Sequence, residues 1–232
     1  MKRFWREVAT TPDGGIALDG RPVRTPGRVP LLLPNAALAD AVAEEWRAVG
    51  EVLDPRAMPL TGIANAAVDR VAPDPATFAA GLARYGESDL LCYRAGSPDE
   101  LIARQQAAWN PPLDWARRRY DVAFEVATGI VHRAQPEPTL HRLREATGAL
   151  PPFALAAASP IITLTGSLIL CLAMIDGAID ADAVWQAAHV DEDWQAEQWG
   201  QDPLAASARA ARRREFDAAA RFLATLSGSG GG

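Results

Sequence analysis

The sequence predicts an α+β protein: a small N-terminal domain with an antiparallel β meander plus a helix, followed by a larger all-α helical domain. Three observations carry this. Short strand-like stretches separated by Gly-containing turns fill the chain up to Pro34. Helical spacing of apolar residues replaces that pattern immediately afterwards. Pro- and Asp-led helix starts then recur through most of the remaining sequence. At 232 residues the chain is long enough to bury one sizeable core or to divide into a small and a larger domain. The expected division is 1–72 for the α+β domain, 73–226 for the helical domain, and 227–232 for a flexible Gly-rich tail.

In chain order, strands are expected at Phe4 to Ala9, Ile16 to Leu18, Pro22 to Thr25 and Val29 to Leu33. Pro12-Asp13-Gly14-Gly15, Asp19-Gly20 and Pro26-Gly27 separate them as hairpin turns, where glycine tolerates a positive φ. Leu38, Val42, Glu45 and Trp46 then stand at helical spacing, with Asn35 as N-cap and Gly50 as stop. Asp74-Pro75 opens a helix toward Tyr85, and Ser97-Pro98-Asp99-Glu100 reads as a capping box opening another toward Trp109. Asn110-Pro111-Pro112 is expected to break the chain before a short helix to Tyr120, and Phe124 to Ile130 reads as extended. Further helices are expected at Pro138 to Thr147, Pro160 to Ile175, Ala181 to His189, Asp191 to Trp199 and Pro203 to Leu226.

Composition excludes several classes of function. A formal charge of −6 argues against a nucleic-acid surface, whose affinity comes from concentrated Lys and Arg. The one strong basic run, Arg212-Arg213-Arg214, reads as the solvated face of the last helix. Pro160 to Ile175 is almost wholly apolar but spans about 24 Å as a helix, short of a hydrocarbon core of about 30 Å, so it reads as a buried helix. Cys92 and Cys171 lie in apolar surroundings and suggest no disulfide framework. The N-terminus lacks the apolar core of a signal peptide, and a cytoplasmic, bacterial setting is expected.

Motifs for chemistry are scarce. Neither a phosphate-cradling loop nor a dinucleotide fingerprint is present, and no cofactor is expected. His132, His141 and His189 have no metal-ligand spacing, and no catalytic residue stands out. Two clusters mix carboxylates and aromatic rings. One is Trp109-Asn110-Pro111-Pro112-Leu113-Asp114-Trp115; the other is Asp191 to Gly200, with Glu192, Ala196 and Trp199 on one helical stripe and Asp193 and Glu197 on the next. A purely structural reading assigns the tryptophans, Trp194 and Trp199 included, to the core and the carboxylates to a solvated face.

Several stretches in order resemble the mitochondrial and α-proteobacterial family of ATP synthase assembly chaperones. They are Arg3-Phe4-Trp5, Leu18 to Pro26, Ala43-Glu44-Glu45-Trp46, Met58-Pro59-Leu60-Thr61, Asp89 to Arg94, Gln106 to Trp115 and Asp191 to Gly200. The sequence departs from the family pattern at Asn110 and Asp121, and this shifts weight from the Trp109 junction to the acidic helix. The resemblance implies a monomer that binds the free α subunit of the F-type ATP synthase without catalysis, and neither nucleic acid nor a membrane. For a carboxylate that meets a partner's arginine, Glu192 is the first choice and Glu197 the second, with Asp193 and Asp191 beside them. Two other classes stay open: a hydrolase or lyase pairing Glu192 with Asp114 or Asp89, and a generic helical adaptor.

Overall fold

The computed structural model describes residues 2–129, 131–200 and 202–228. The chain divides into two compact units. One comprises Met1–Pro75, Pro151–Ala158 and Asp217–Gly232; the other comprises Ala76–Leu150 and Ser159–Phe216.

In the first unit β1 (Val8–Thr10), β2 (Ile16–Leu18) and β3 (Arg21–Pro22) form an antiparallel sheet in that order, with Ala9 opposite Ala17 and Leu18 opposite Arg21. The β2–β3 turn places Asp19 at φ 49°, and its carboxylate accepts bonds from the backbone N–H groups of Arg6 and Glu7. Beyond Pro22, only isolated bridges, Arg24 to Pro30 and Gly15 to Leu32, form where strands were expected at 22–25 and 29–33. Pro26 and Pro30 lack the N–H groups that a continuous ladder requires.

Helix α1 (Ala36–Ala48) starts as expected, with Asn35 Oδ1 accepting from Leu38 N at 2.7 Å. It buries Leu38 and Val42 completely, in a core shared with Trp5, Ile16, Leu31 and Leu60. From its far end Glu45 accepts bonds from Leu60 N and Thr61 N, both at 2.8 Å, and so caps α2 (Pro59–Ala66). Sequence periodicity gave no sign of α2, nor of the π-helical turn Ala67–Val71 that extends it. This unit also takes in 151–158 and the chain from Asp217, which sequence reading assigned to the helical domain. Phe153 stacks on Phe222 at 6.4 Å, and Asn35 Nδ2 donates to the carbonyls of Thr225 and Leu226, so both segments complete the core around α1.

The second unit holds α3 (Pro75–Ala83) from its second residue, α4 (Asp99–Tyr120), α5 (Glu137–Gly148), the later part of α6 (Pro152–Thr165), α7 (Leu168–Ile175), α8 (Ala181–Ala188), α9 (Val190–Trp199) and the start of α10 (Pro203–Ser227). A two-residue parallel pair, β4 (Tyr93–Arg94) with β5 (Ala127–Thr128), interrupts the helices. Three expectations need correction. Helix α4 runs unbroken through Pro111 and Pro112, because Trp109, Pro112, Leu113 and Ala116 form one buried face at i, i+3, i+4 and i+7. Trp109 Nε1 also donates to Ala187 O at 2.6 Å. The apolar run 160–175 is two helices: Pro160 lies inside α6, and Gly166 at φ 67° breaks the chain before Ser167 caps α7. The box expected at Ser97 also fails to form, since Pro98 occupies the cap position of α4 without a side-chain bond.

Asp89 sits at the centre of this unit, completely inaccessible. Its oxygens accept bonds from Ser167 Oγ at 2.7 Å, Ile169 N at 3.0 Å and Leu91 N at 3.1 Å. Among the described residues no helix is long and apolar enough to cross a membrane. Ser227 closes α10, while the glycine-rich residues 229–232 and Ile130, at the end of the stretch read as extended, lie outside the described residues.

Candidate functional site

The acidic helix expected from sequence is α9. Its first turn carries Asp191, Glu192 and Asp193, where a helix N-terminus favours negative charge. Trp194 anchors it: the indole is buried, and the Arg104 guanidinium lies 4.9 Å above its ring.

All four acidic candidates already have partners within the chain. Asp191 Oδ1 accepts from Gln105 Nε2 at 2.7 Å. Glu192 receives Arg212 Nη2 at 2.9 and 3.2 Å on its two oxygens, and its side chain remains 38% exposed. Asp193 pairs with Arg209 at 2.5 Å, and Glu197 with Arg104 at 2.7 Å. The Arg104 hydrogen bond holds the Glu197 carboxyl below its usual range. The two stripes seen in the sequence do not decide the neighbours, since Asp193 and Glu197 share one and still part company. Glu192 and Asp193 turn to α10, whereas Glu197 turns to α4.

Beneath Glu192 lies His189, buried and stacked at 3.8 Å on Trp185. Its Nδ1 donates to Trp185 O at 2.8 Å, so in the neutral ring the bare Nε2 faces Glu192 Oε2 at 3.7 Å. Burial lowers the pKa of this imidazole.

One placement overturns an expectation: Trp199 is 78% exposed, whereas Trp194 is buried as expected. The helix ends at Trp199, with Gly200 at φ 84° and ψ 172°, so the ring falls beyond the last turn that packs inward. Sequence reading also missed Arg212 and Arg209 as partners, having placed the basic run on a solvated face. A signal was available, because a connection of three residues between two helices returns the chain on itself. Positions 193 and 209, each eight residues from 201, then meet.

The carboxylate-pair hydrolase has no support in this geometry. Asp89 is sealed from solvent and its oxygens are occupied, and Asp114 pairs with Arg117 at 2.7 Å. Clefts of about 640, 500 and 330 Å³ are present, the largest lined by Arg119, Tyr120, Arg142 and Asp176, and none of the three is lined by Glu192, Asp114 or Asp89. The histidines are dispersed: His132 bonds Tyr93 Oη at 3.0 Å and His141 faces Glu145 at 3.5 Å. Among the described residues no group of three or more His, Cys, Asp or Glu could hold a metal ion.

Comparison with known proteins agrees with the fold. Residues 2–117 match the profile of the ATP12 chaperone protein family. The structure of Atp12 from Paracoccus denitrificans is 43% identical, superposes with a TM-score of 0.90 and covers 97% of both chains. An Asp-to-Lys variant of the same Paracoccus protein gives a TM-score of 0.91 at 43% identity, again over 97% of each chain. A candidate chaperone from Agrobacterium tumefaciens is 42% identical with a TM-score of 0.91, covering 97% of this chain and 86% of its own. With near-complete coverage at this identity, the chain belongs to the ATP12 chaperone family.

Proposed function

We propose that this protein is an ATP synthase assembly chaperone that binds the free α subunit, keeps it soluble, and releases it when β arrives. The observation that carries this reading is family membership along nearly the whole chain. The physical need is clear, because an unpaired α subunit exposes a surface made to be buried against β, and large exposed apolar patches aggregate. The protein acts by covering that surface and not by catalysis.

Release demands contacts that can be exchanged. Surface ion pairs suit this, since each contributes only about 0–1 kcal/mol. Glu192 is the carboxylate best placed to take part, being partly exposed and held by a single guanidinium nitrogen of Arg212. A partner's arginine would compete with Arg212 for it. Glu197, Asp193 and Asp191 are secondary positions whose partners would have to be displaced in the same way. Acting on a subunit before it joins the complex places the protein in the cytoplasm, and a monomer leaves the binding face available.

Co-expression with α alone, with β alone and with both tests the reading. The expected result is a soluble complex with α that dissipates when β is supplied. Stable co-purification with β alone, and none with α, would overturn it.

A further inference from the structure

We propose that the exposed apolar residues Trp199, the last of α9, and Leu204, in the first turn of α10, are the apolar anchor by which this chain holds the unassembled subunit. This rests on the chaperone reading and names the contact surface. Trp199 and Leu204 are 78% and 81% exposed, the two most exposed large apolar side chains among the described residues. Single exposed leucines are ordinary, but a tryptophan this exposed is not. Trp199 has no ring or cation partner among the described residues, unlike Phe4, which meets Trp5 edge to face at 5.2 Å.

The two flanks of the α9–α10 connection are held by hydrogen bonds. Gly200 N donates to Ala196 O at 2.9 Å, and Gly200 takes a φ and ψ that essentially only glycine adopts. On the other side Asp202 Oδ2 accepts from Ala205 N at 2.8 Å, and Pro203 follows as the first helical residue. The ion pairs Asp193–Arg209 and Glu192–Arg212 tie α10 to α9, and Glu197–Arg104 ties α9 to α4. The acidic residues of α9 thus brace this connection, while the indole and the leucine are left unused. A tryptophan has only two side-chain torsions to lose on binding, and tryptophan is enriched among residues that dominate interface energies.

Charge selects the occupant. Between residues 195 and 208 the ionisable side chains are Glu197, which is paired with Arg104, and Asp202, and the segment itself carries no basic residue. The fitting partner is an apolar recess with basic residues at its rim. A second copy of this chain, at a formal charge of −6, fits poorly.

The test uses the full chain co-expressed with the α subunit of an α-proteobacterial F-type ATP synthase. Wild type, Trp199→Ala, Leu204→Ser and the double variant are compared with Phe4→Ala, an equally apolar exposed change in the other unit. The melting temperature and oligomeric state of each chain are measured alongside. Trp199→Ala is expected to keep the wild-type melting temperature while α capture weakens by at least about tenfold, with a larger loss in the double variant. Phe4→Ala should capture α normally. Undiminished capture by the double variant, equal loss in Phe4→Ala, or melting and capture falling together in both single variants overturns the proposal. So does a wild-type chain that self-associates through Trp199. If wild type captures no α, the chaperone reading itself fails, and the anchor with it.

Discussion

Nη2 of Arg212 lies 2.9 and 3.2 Å from the two carboxylate oxygens of Glu192, so the residue best suited to receive a partner's arginine already holds one from its own chain. Both side chains are partly exposed, at 45% and 38%. Their coupling should therefore be small, about 1 kcal/mol or less in a double-mutant cycle of Glu192→Gln and Arg212→Gln. If the pair is a gate for α, the two substitutions differ in binding while agreeing in stability. Glu192→Lys stays folded and loses α capture, whereas Arg212→Gln frees the carboxylate and keeps or strengthens capture. Equal loss in both variants would show that the pair only braces α10 against α9.

Helix α4 carries Pro111 at an exposed position and Pro112 at a buried one. Pro111 removes the N–H that would bond the carbonyl one turn earlier, at a typical cost of about 3 kcal/mol in a helix interior. Part of this is offset by the stiffness proline gives the unfolded chain, about 0.4–1 kcal/mol. Pro111→Ala is therefore expected to stabilise the protein by roughly 1–2 kcal/mol, read as a higher urea midpoint at unchanged slope. Pro112→Ala should not gain as much, because it also removes buried ring contacts.

Those two prolines also show what the sequence could and could not convey. Local chemistry was legible wherever one residue decides an outcome, as at the Asn35 cap, the Asp19-Gly20 turn and the Asp202-Pro203 start of α10. It misled where tertiary packing outweighs propensity. Trp109 and Leu113, buried to 1%, carry α4 past two prolines, and the continuous apolar run hid the break at Gly166 because apolar residues continue through both flanking helices. The acidic helix was legible as a helix, but not its neutralisation, since Arg212 and Arg209 reach it only after the chain reverses. Trp199 was assigned to the core because periodicity does not reveal which turn of a helix projects beyond the packing.

In the N-terminal unit, Glu45 joins α1 to α2 by accepting from Leu60 N, Thr61 N and Thr61 Oγ1 at 2.7–2.8 Å. Glu45→Gln replaces one of those oxygens with an NH₂ group that cannot accept. The expected loss is about 1–2 kcal/mol, in the range of removing a helix cap. Glu44→Gln on the neighbouring position, whose carboxylate bonds only the exposed Arg47, should change stability by less than about 0.5 kcal/mol. Equal effects from the two substitutions would remove Glu45 from its capping role.

The last prediction concerns Asp89, whose carboxyl burial pushes from 3.8 up to about 6 against the opposing pull of its bonds from Ile169 N, Ser167 Oγ and Leu91 N. Between those two values the folded chain holds a proton on Asp89 that the unfolded chain has released. Stability from this group is therefore fully present below about pH 4 and is lost as pH rises through about 6. His189 acts in the opposite sense, because burial lowers its pKa below 6.5 and its contribution is lost as pH falls. A pH profile of wild type alone thus mixes two opposed slopes, and the difference between wild type and Asp89→Asn isolates one of them. The amide also sets an NH₂ against a backbone N–H at Ile169 or Leu91, an unsatisfied pairing that costs about 1–3 kcal/mol. The stability gap between wild type and Asp89→Asn should widen on going from pH 7 to pH 4.5, by up to about 2 kcal/mol, measured as urea unfolding free energies. A gap that stays constant, or narrows as pH falls, would mean that the hydrogen bonds from Ser167 and the α7 backbone outweigh burial and keep Asp89 ionised throughout.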